Sequence, residues 1–163
     1  MIVVRLSEQQ LLEVGQEHDT GARVRGTFPL SAAAGTKSTA VVYFELAPGK
    51  RLPTHTDSAE EVLYILEGTA EVVVGDERST ASAGDLALVP SMVPHSVRNI
   101  GDTTVRVLGF FSSSTNMATF DYPMVPINPA AAMGSPYGER TFLIPPPVAL
   151  EQSAAPMAEA HSV

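Results

Sequence analysis

The chain has 163 residues, of which 44% are hydrophobic and 17% are charged, and it carries a formal net charge of −8. This length and composition are typical of one globular domain with its own core, and they exclude a disordered acidic chain or a coiled coil. The pI near 4.9 leaves no basic surface for phosphate groups, so we expect neither nucleic acid nor an anionic membrane as a partner. The expected partner is a small-molecule substrate or ligand.

Cysteine is absent from the sequence, which excludes disulfides, thiolate metal sites, iron–sulfur clusters and cysteine nucleophiles. Any metal would therefore depend on His, Asp and Glu. The N-terminal residues lack the apolar core and cleavage site of a signal peptide, which predicts a cytoplasmic location. Every apolar run is broken by charge, Gly or Pro, so no stretch approaches the roughly 20 apolar residues needed to cross a bilayer.

Residues 1–21 are predicted to form an N-terminal strand and a short helix. The strand is expected near Ile2 to Leu6. Ser7 followed by Gln10 resembles a capping box that opens the helix, and Gly15 would end it.

Residues 22–111 consist of short β-rich runs separated by turn residues, among them Pro48-Gly49, Glu67-Gly68 and Gly75-Asp76. This rhythm is typical of an all-β sandwich or barrel, and the 10 to 15 residue helices that a parallel sheet needs between its strands are missing. Residues 112–150 are rich in Ser, Pro, Met and Ala, and we expect an irregular arm that packs on the barrel, with a strand-like run at 141–144. Residues 151–163 are expected to be a disordered tail, with a lone helix as the alternative.

Two motifs stand in the β-rich region. The first has Gly49, His55, Asp57, Glu61 and Gly68, and the second has Gly84, Pro90, Met92, His95 and Asn99. In this spacing the chain resembles the cupin superfamily, whose motifs are usually written G(X)5HXH(X)3–4E(X)6G and G(X)5PXG(X)2H(X)3N. The resemblance implies a cupin double-stranded β-helix, or jelly roll, and a metal bound by His55, Asp57, Glu61 and His95.

This sequence departs from the motifs at two positions, because Asp57 replaces the second histidine and Met92 replaces a glycine. For Met92 we expect only that its turn avoids positive φ. The individual residues have a plainer interpretation, in which two histidines and some acids form surface hydrogen bonds, but their joint spacing favours a site. His18 in a polar loop and His161 in the tail are expected to be exposed, and neither is a candidate ligand.

The strand pattern leads to the same site. His55 and Asp57 are two residues apart and therefore project from one face of an extended segment. Glu61, Leu63 and Ile65 share the inward face of the next strand, so Glu61 would lie at the mouth of an apolar interior with Leu63 and Ile65 as substrate-binding residues. A buried carboxylate needs a cationic partner, and a divalent metal shared with two imidazoles supplies one.

Asp57 leaves two arrangements open. If it binds the metal directly, two imidazoles and two carboxylates favour Fe²⁺ or Mn²⁺, and oxygen or Lewis-acid chemistry is favoured over metal-hydroxide hydrolysis. If Asp57 falls short, the other three residues form the two-histidine, one-carboxylate set of many non-haem Fe(II) oxygenases, and Asp57 is a nearby base. Zn²⁺ and Ni²⁺ are alternative ions.

The motifs imply several functions, because one such barrel hosts many chemistries. The leading hypothesis is a metal-dependent enzyme acting on a small organic molecule, either a non-haem dioxygenase or a redox-neutral lyase or isomerase. The alternative is a non-catalytic metabolite-binding or sensor cupin, and a metal-free barrel of the sugar-nucleotide epimerase type is disfavoured by the ligand spacing. By resemblance we also expect a homodimer, formed through the N-terminal strand or the arm after residue 112.

Overall fold

The computed structural model describes residues 1–126 and the backbone of residues 130–133. These residues form a β-rich fold with two single 3-10 turns, Leu6–Glu8 and Ala32–Ala34. The strands are β1 Leu12–Gln16, β2 Asp19–Leu30, β3 Ala40–Leu46, β4 Arg51–Asp57, β5 Glu61–Glu67, β6 Thr69–Val74, β7 Glu77–Ser82, β8 Leu86–Val89, β9 His95–Asn99, β10 Val105–Phe111, β11 Asn116–Phe120 and β12 Ala130–Met133. Among the described residues, no helix has the length and apolar character needed to cross a membrane.

The strands form two antiparallel layers that are joined at one point. One layer runs β1-β2-β3-β10-β5-β8, and the other runs β7-β6-β9-β4-β11-β12. The parallel contact between β2 and β4, at Ala22 and Arg51, joins the layers, and β7 and β8 are the two ends of the path of paired strands. This is the all-β jelly-roll barrel that the motifs predict.

The core lies between the layers and follows from the alternation of side chains along each strand. In β5, Glu61, Leu63 and Ile65 are buried while the residues between them are half-buried, as their period of two predicts. In β4, the buried residues include His55 and Asp57. The same alternation that builds the apolar core therefore carries five polar side chains of the two motifs inward: His55, Asp57, Glu61, His95 and Asn99.

The N-terminal segment differs from the prediction of a strand followed by a helix. Residues 1–5 lie outside any strand, and the helix is reduced to the single turn Leu6–Glu8. The expected helical residues 12–14 belong instead to β1, where Val14 is buried and pairs with Val24 of β2. A capping box is a local signal of modest energy, and burial of Val14 against a neighbouring strand outweighs it.

The expected irregular arm contains two strands that the sequence did not predict, β11 and β12. β11 pairs with β4, with Ala118 opposite Asp57, and therefore forms part of the barrel. The strand-like run at 141–144 and the tail at 151–163, with His161, lie outside the described residues.

The interpretation of Met92 is wrong. Met92 has φ 63°, so its turn keeps the left-handed backbone that a motif glycine would adopt. Its N–H donates to the backbone carbonyl of Asp57 at 2.8 Å. This hydrogen bond stabilises the turn despite the strain of a left-handed backbone in a non-glycine residue.

Candidate metal centre

The two motif histidines face each other from neighbouring strands. His55 of β4 lies opposite His95 of β9 in the strand register, and their ring centroids are 4.1 Å apart. Asp57 ends β4 and Glu61 begins β5, so the short connection between these strands brings both carboxylates to the same end of the barrel. All four side chains are buried, with 5% exposure or less.

Both histidines are oriented in the same way. Nδ1 of His55 lies 2.9 Å from the carbonyl oxygen of Pro53, and Nδ1 of His95 lies 3.0 Å from that of Val93. Because a carbonyl only accepts hydrogen bonds, each Nδ1 carries the proton and donates it. The neutral form of each ring therefore presents the lone pair of Nε2, which is the arrangement found in metal-binding histidines.

Asp57 lies between the two Nε2 atoms. Its Oδ2 is 3.5 Å from His55 Nε2 and 3.3 Å from His95 Nε2. Asp57 Oδ2 and His95 Nε2 are both buried and have no hydrogen-bond partner in the described part of the chain, which is costly unless a further group satisfies them. One ligand atom from each of His55, Asp57 and His95 lies within 4.8 Å of the others, so these three residues fit a divalent cation.

Glu61 borders this cluster without joining it. Its Oε2 is 3.6 Å from His95 Nε2, but it is not part of the compact set of three. The carboxylate lies against Gly109 of β10, where any Cβ would overlap Glu61 Oε1. The sequence analysis missed Gly109, although a glycine inside the strand run VLGFF is a signal of close approach by another group.

The charges of the metal-free site are set by burial and by the short distances within it. Burial favours the neutral form of Asp57, but the two nearby imidazoles outweigh it and hold the pKa of Asp57 below its usual range. For Glu61, burial and the neighbouring Asp57 charge raise the pKa of its carboxyl. Burial lowers the pKa of His95, yet Asp57 and Glu61 outweigh this and raise it to about 9.

The second residue that the sequence analysis missed is a polar one, Asn116, at the start of β11. Its side chain is 3% exposed, and its Nδ2 donates to Asp57 Oδ1 at 2.5 Å. Neither motif contains Asn116. It reaches the site through the pairing of β11 with β4, for which the sequence offered no local signal.

A cavity of about 70 Å³ adjoins His55, Asp57 and Glu61. The ring of Phe120 stacks on His55, with centroids 4.8 Å apart. Leu63 and Ile65, the predicted substrate-binding residues, are 1% exposed in the apolar core and are not among the cavity's lining residues. The lining is otherwise largely apolar: Val14, Val24, Gly26, Phe28, Val42, Phe44, Leu52, Phe111, Asn116, Ala118 and Phe120.

Comparison with known proteins agrees with the fold. A family model described as a cupin domain matches residues 42–111. An uncharacterized protein of Methanocaldococcus jannaschii is 33% identical over 51 residues, a match that spans 31% of this chain and 41% of the relative.

Several solved structures share the fold. A predicted oxalate decarboxylase from Thermotoga maritima superposes with a TM-score of 0.61 at 26% identity, over 69% of this chain and 99% of its own. A polyketide cyclase from Streptomyces resistomycificus gives 0.56 at 21% identity, over 68% and 78%. Bacillus subtilis oxalate decarboxylase, which has Mn(II) centres, gives 0.55 at 24% identity, over 74% of this chain and 30% of its own. Residues 42–111 thus match the cupin domain, and both motifs lie on the strands of the cupin-type jelly-roll barrel that the chain shares with these structures.

Proposed function

We propose that this chain is a metal-dependent enzyme that acts on a small organic molecule in the cavity beside His55, Asp57 and His95. The observation that carries the proposal is a pair of buried atoms, Asp57 Oδ2 and His95 Nε2, which lie 3.3 Å apart and have no hydrogen-bond partner among the described residues. A divalent metal, when bound, would supply Lewis acidity or a binding place for dioxygen.

The reach of Asp57 supports direct ligation over the alternative in which it falls short. Its Oδ2 lies within 3.5 Å of both Nε2 atoms, so the shorter side chain still arrives at the point between the two imidazoles. Nitrogen and carboxylate ligands suit Mn²⁺ and Fe²⁺, and the Mn(II) centres of one fold neighbour agree with that choice. Zn²⁺ and Ni²⁺ are the competing ions.

Glu61 is then available to move a proton. Its carboxyl lines the cavity, and burial together with the charge of Asp57 raises its pKa, which favours the protonated form. A protonated carboxyl at the cavity wall can donate to a substrate oxygen or, once ionised, accept a proton from carbon. We propose this proton-transfer role for Glu61, with ligation of the metal as the alternative that its motif position implies.

The cavity supports a substrate that is small and carries at most one negative charge. At roughly 10–15 Å³ for each water-sized atom, about 70 Å³ holds about five to seven non-hydrogen atoms. Within the described part of the chain, none of the lining side chains is Lys or Arg, and Asp57 would offset one of the two positive charges of a bound divalent cation. A dianion such as the oxalate named for two fold neighbours would leave negative charge uncompensated in an apolar space.

Two reaction types fit this site, a dioxygenase reaction and a redox-neutral lyase or isomerase reaction. In both, the apolar wall excludes water and the metal-binding side chains orient an oxygen atom of the substrate. The two reaction types differ in their dependence on oxygen and on the identity of the metal ion. A dioxygenase loses activity without oxygen and requires Fe²⁺, whereas a lyase or isomerase works anaerobically with several divalent ions.

The first test is the metal content of protein made without a histidine tag. Plasma mass spectrometry is expected to find near-stoichiometric iron or manganese in the wild type and little in Asp57→Ala and His95→Ala. His18→Ala, at an exposed histidine, is the matched control and should keep its metal. If the wild type holds no metal even after incubation with Fe²⁺ or Mn²⁺, the enzyme proposal fails and a metabolite-binding barrel replaces it.

A further inference from the structure

Asn116 has every polar atom of its side chain engaged. Its Nδ2 donates to Asp57 Oδ1, and its Oδ1 accepts from the backbone N–H of Ala59 at 3.0 Å and from the hydroxyl of Ser58 at 3.1 Å. The backbone N–H of Ala59 can only donate, so it fixes which end of the Asn116 amide is the oxygen. The NH₂ end must therefore face Asp57.

The contact with Asn116 orients the side chain of Asp57, as backbone carbonyls orient the two histidines. Each imidazole is oriented because its Nδ1–H donates to a carbonyl two residues earlier in the chain. An ionised carboxylate has no proton to donate and cannot use a carbonyl in this way. Its terminal torsion is also broad, so without a donor it would rotate more freely than a held imidazole ring.

The Asn116 contact selects one carboxylate oxygen for the site. With Oδ1 bound to Asn116, Oδ2 is the oxygen that faces His55 and His95, and among residues 1–126 Oδ2 has no hydrogen-bond partner. The cupin motif has a histidine at this position. A histidine ligand could be held by the backbone, but an aspartate ligand needs a donor from elsewhere.

We propose that Asn116 is the positioning residue of Asp57, and that the site depends on it because the ligand at position 57 is an aspartate. This inference rests on the proposed metal site. Orienting residues behind metal ligands typically account for about 10- to 100-fold in metal affinity. The same loss is expected when Asn116 is truncated.

The experiment is a titration of the full chain with Co²⁺, followed by visible absorption, for the wild type and Asn116→Ala. We expect Asn116→Ala to bind Co²⁺ about 10- to 100-fold more weakly and with an altered absorption band, because Asp57 Oδ2 no longer has a fixed direction. The control is Asn99→Ala. Asn99 is also buried with three hydrogen bonds, to Leu46, Thr103 and Gly101, so its loss should lower thermal stability and leave Co²⁺ affinity within about twofold.

A second background separates positioning from general support of the fold. In Asp57→His, the motif histidine is restored and no longer needs an amide donor, so adding Asn116→Ala should change Co²⁺ affinity by less than about threefold. If Asn116→Ala does not fold, Asn116→Asp takes its place, because it keeps the side-chain shape and the acceptor for Ala59. It should lower Co²⁺ affinity when residue 57 is Asp and leave this affinity unchanged when residue 57 is His.

The outcomes are distinct. Unchanged Co²⁺ affinity in Asn116→Ala, or an equal loss in both backgrounds, overturns the role of Asn116 while the metal site stands. Absence of Co²⁺ binding by the wild type overturns the metal site and this inference with it.

Discussion

At the scale of single residues, the place of Glu61 depends on the missing side chain of Gly109. A Cβ at Gly109 would overlap Glu61 Oε1 and lie 2.6 Å from Val42 Cγ1. We expect Gly109→Ala to lower the free energy of unfolding by about 1–3 kcal/mol, as overpacking does, and to push Glu61 out of its position beside His95. Urea unfolding measures the first effect, and the pH profile of any activity measures the second.

The matched control for this prediction is Gly101→Ala. A Cβ at Gly101 would meet no atom closer than 3.7 Å, which is ordinary contact. Its unfolding free energy should fall by no more than about 0.5 kcal/mol. Equal stability of the two variants would show that Glu61 has another place to go.

Metal binding should strengthen as pH rises towards about 9. The pKa of His95 is raised to about 9 in the metal-free site, where Asp57 and Glu61 outweigh the opposing effect of burial. Below this pH the imidazole is protonated, and a metal must displace the proton before Nε2 can bind. We expect a roughly tenfold gain in apparent affinity per pH unit between pH 6.5 and 8.5, and at least one proton released.

Calorimetry in buffers of different ionisation enthalpy measures both quantities. Affinity that is independent of pH, with no proton released, would contradict the charge state deduced for His95.

At the scale of elements, the turn between β8 and β9 stores strain at Met92. This residue has φ 63° with its side chain 61% exposed, so a glycine there would lose little packing. The left-handed backbone costs a non-glycine residue about 1–2 kcal/mol, and the greater freedom of glycine in the unfolded chain costs about 0.5–1 kcal/mol. Met92→Gly should therefore raise the free energy of unfolding by about 0.5–1 kcal/mol in a urea titration.

The sign of the change decides this prediction. A loss of stability in Met92→Gly would mean that the exposed methionine makes contacts worth more than its backbone strain. Metal content should not change, because the bond from the residue 92 N–H to the Asp57 carbonyl is made by backbone and survives the substitution.

The strands that carry the motifs were predictable because their signals are local. Alternating burial in β5 and the turn glycines around it lie within a few residues of one another, and they place Glu61 inward without knowledge of any partner strand. The same local rule led to a helix at residues 7–14, where the decisive interaction is the pairing of Val14 with Val24. Pairing between strands is not visible in one sequence.

The residues of the candidate site fall into the same two groups, those with a local sequence signal and those brought in by strand pairing. His55, Asp57 and Glu61 fall within seven residues of chain, and His95 is marked by its own motif. Gly109 and Asn116 reach the site only through the pairing of β10 with β5 and of β11 with β4. The residues that are proposed to bind the metal can therefore be recognised from the sequence, whereas the residues that hold them in place cannot.

At the scale of the whole molecule, we expect the chain to form a homodimer through its N-terminal apolar run. Ile2 and Val3 are 62% and 70% exposed and lie outside any strand, so their side chains are available to pack against a second copy. Sedimentation should give a dimer for the wild type and a monomer for the double variant Ile2→Lys and Val3→Lys. A monomeric wild type would exclude this expectation.

The position of β11 sets a minimum size for a working site. Both motifs end by Asn99, and a fragment that stops at Phe111 would retain all four candidate ligands. It would also leave one edge of β4 without the hydrogen bonds of β11, and Asp57 without its amide donor. The segment that the motifs mark is thus shorter than the segment that holds the ligands in place, because the latter extends to β11. A chimaera of two relatives joined at residue 111 would carry the four candidate ligands without the contacts that orient Asp57.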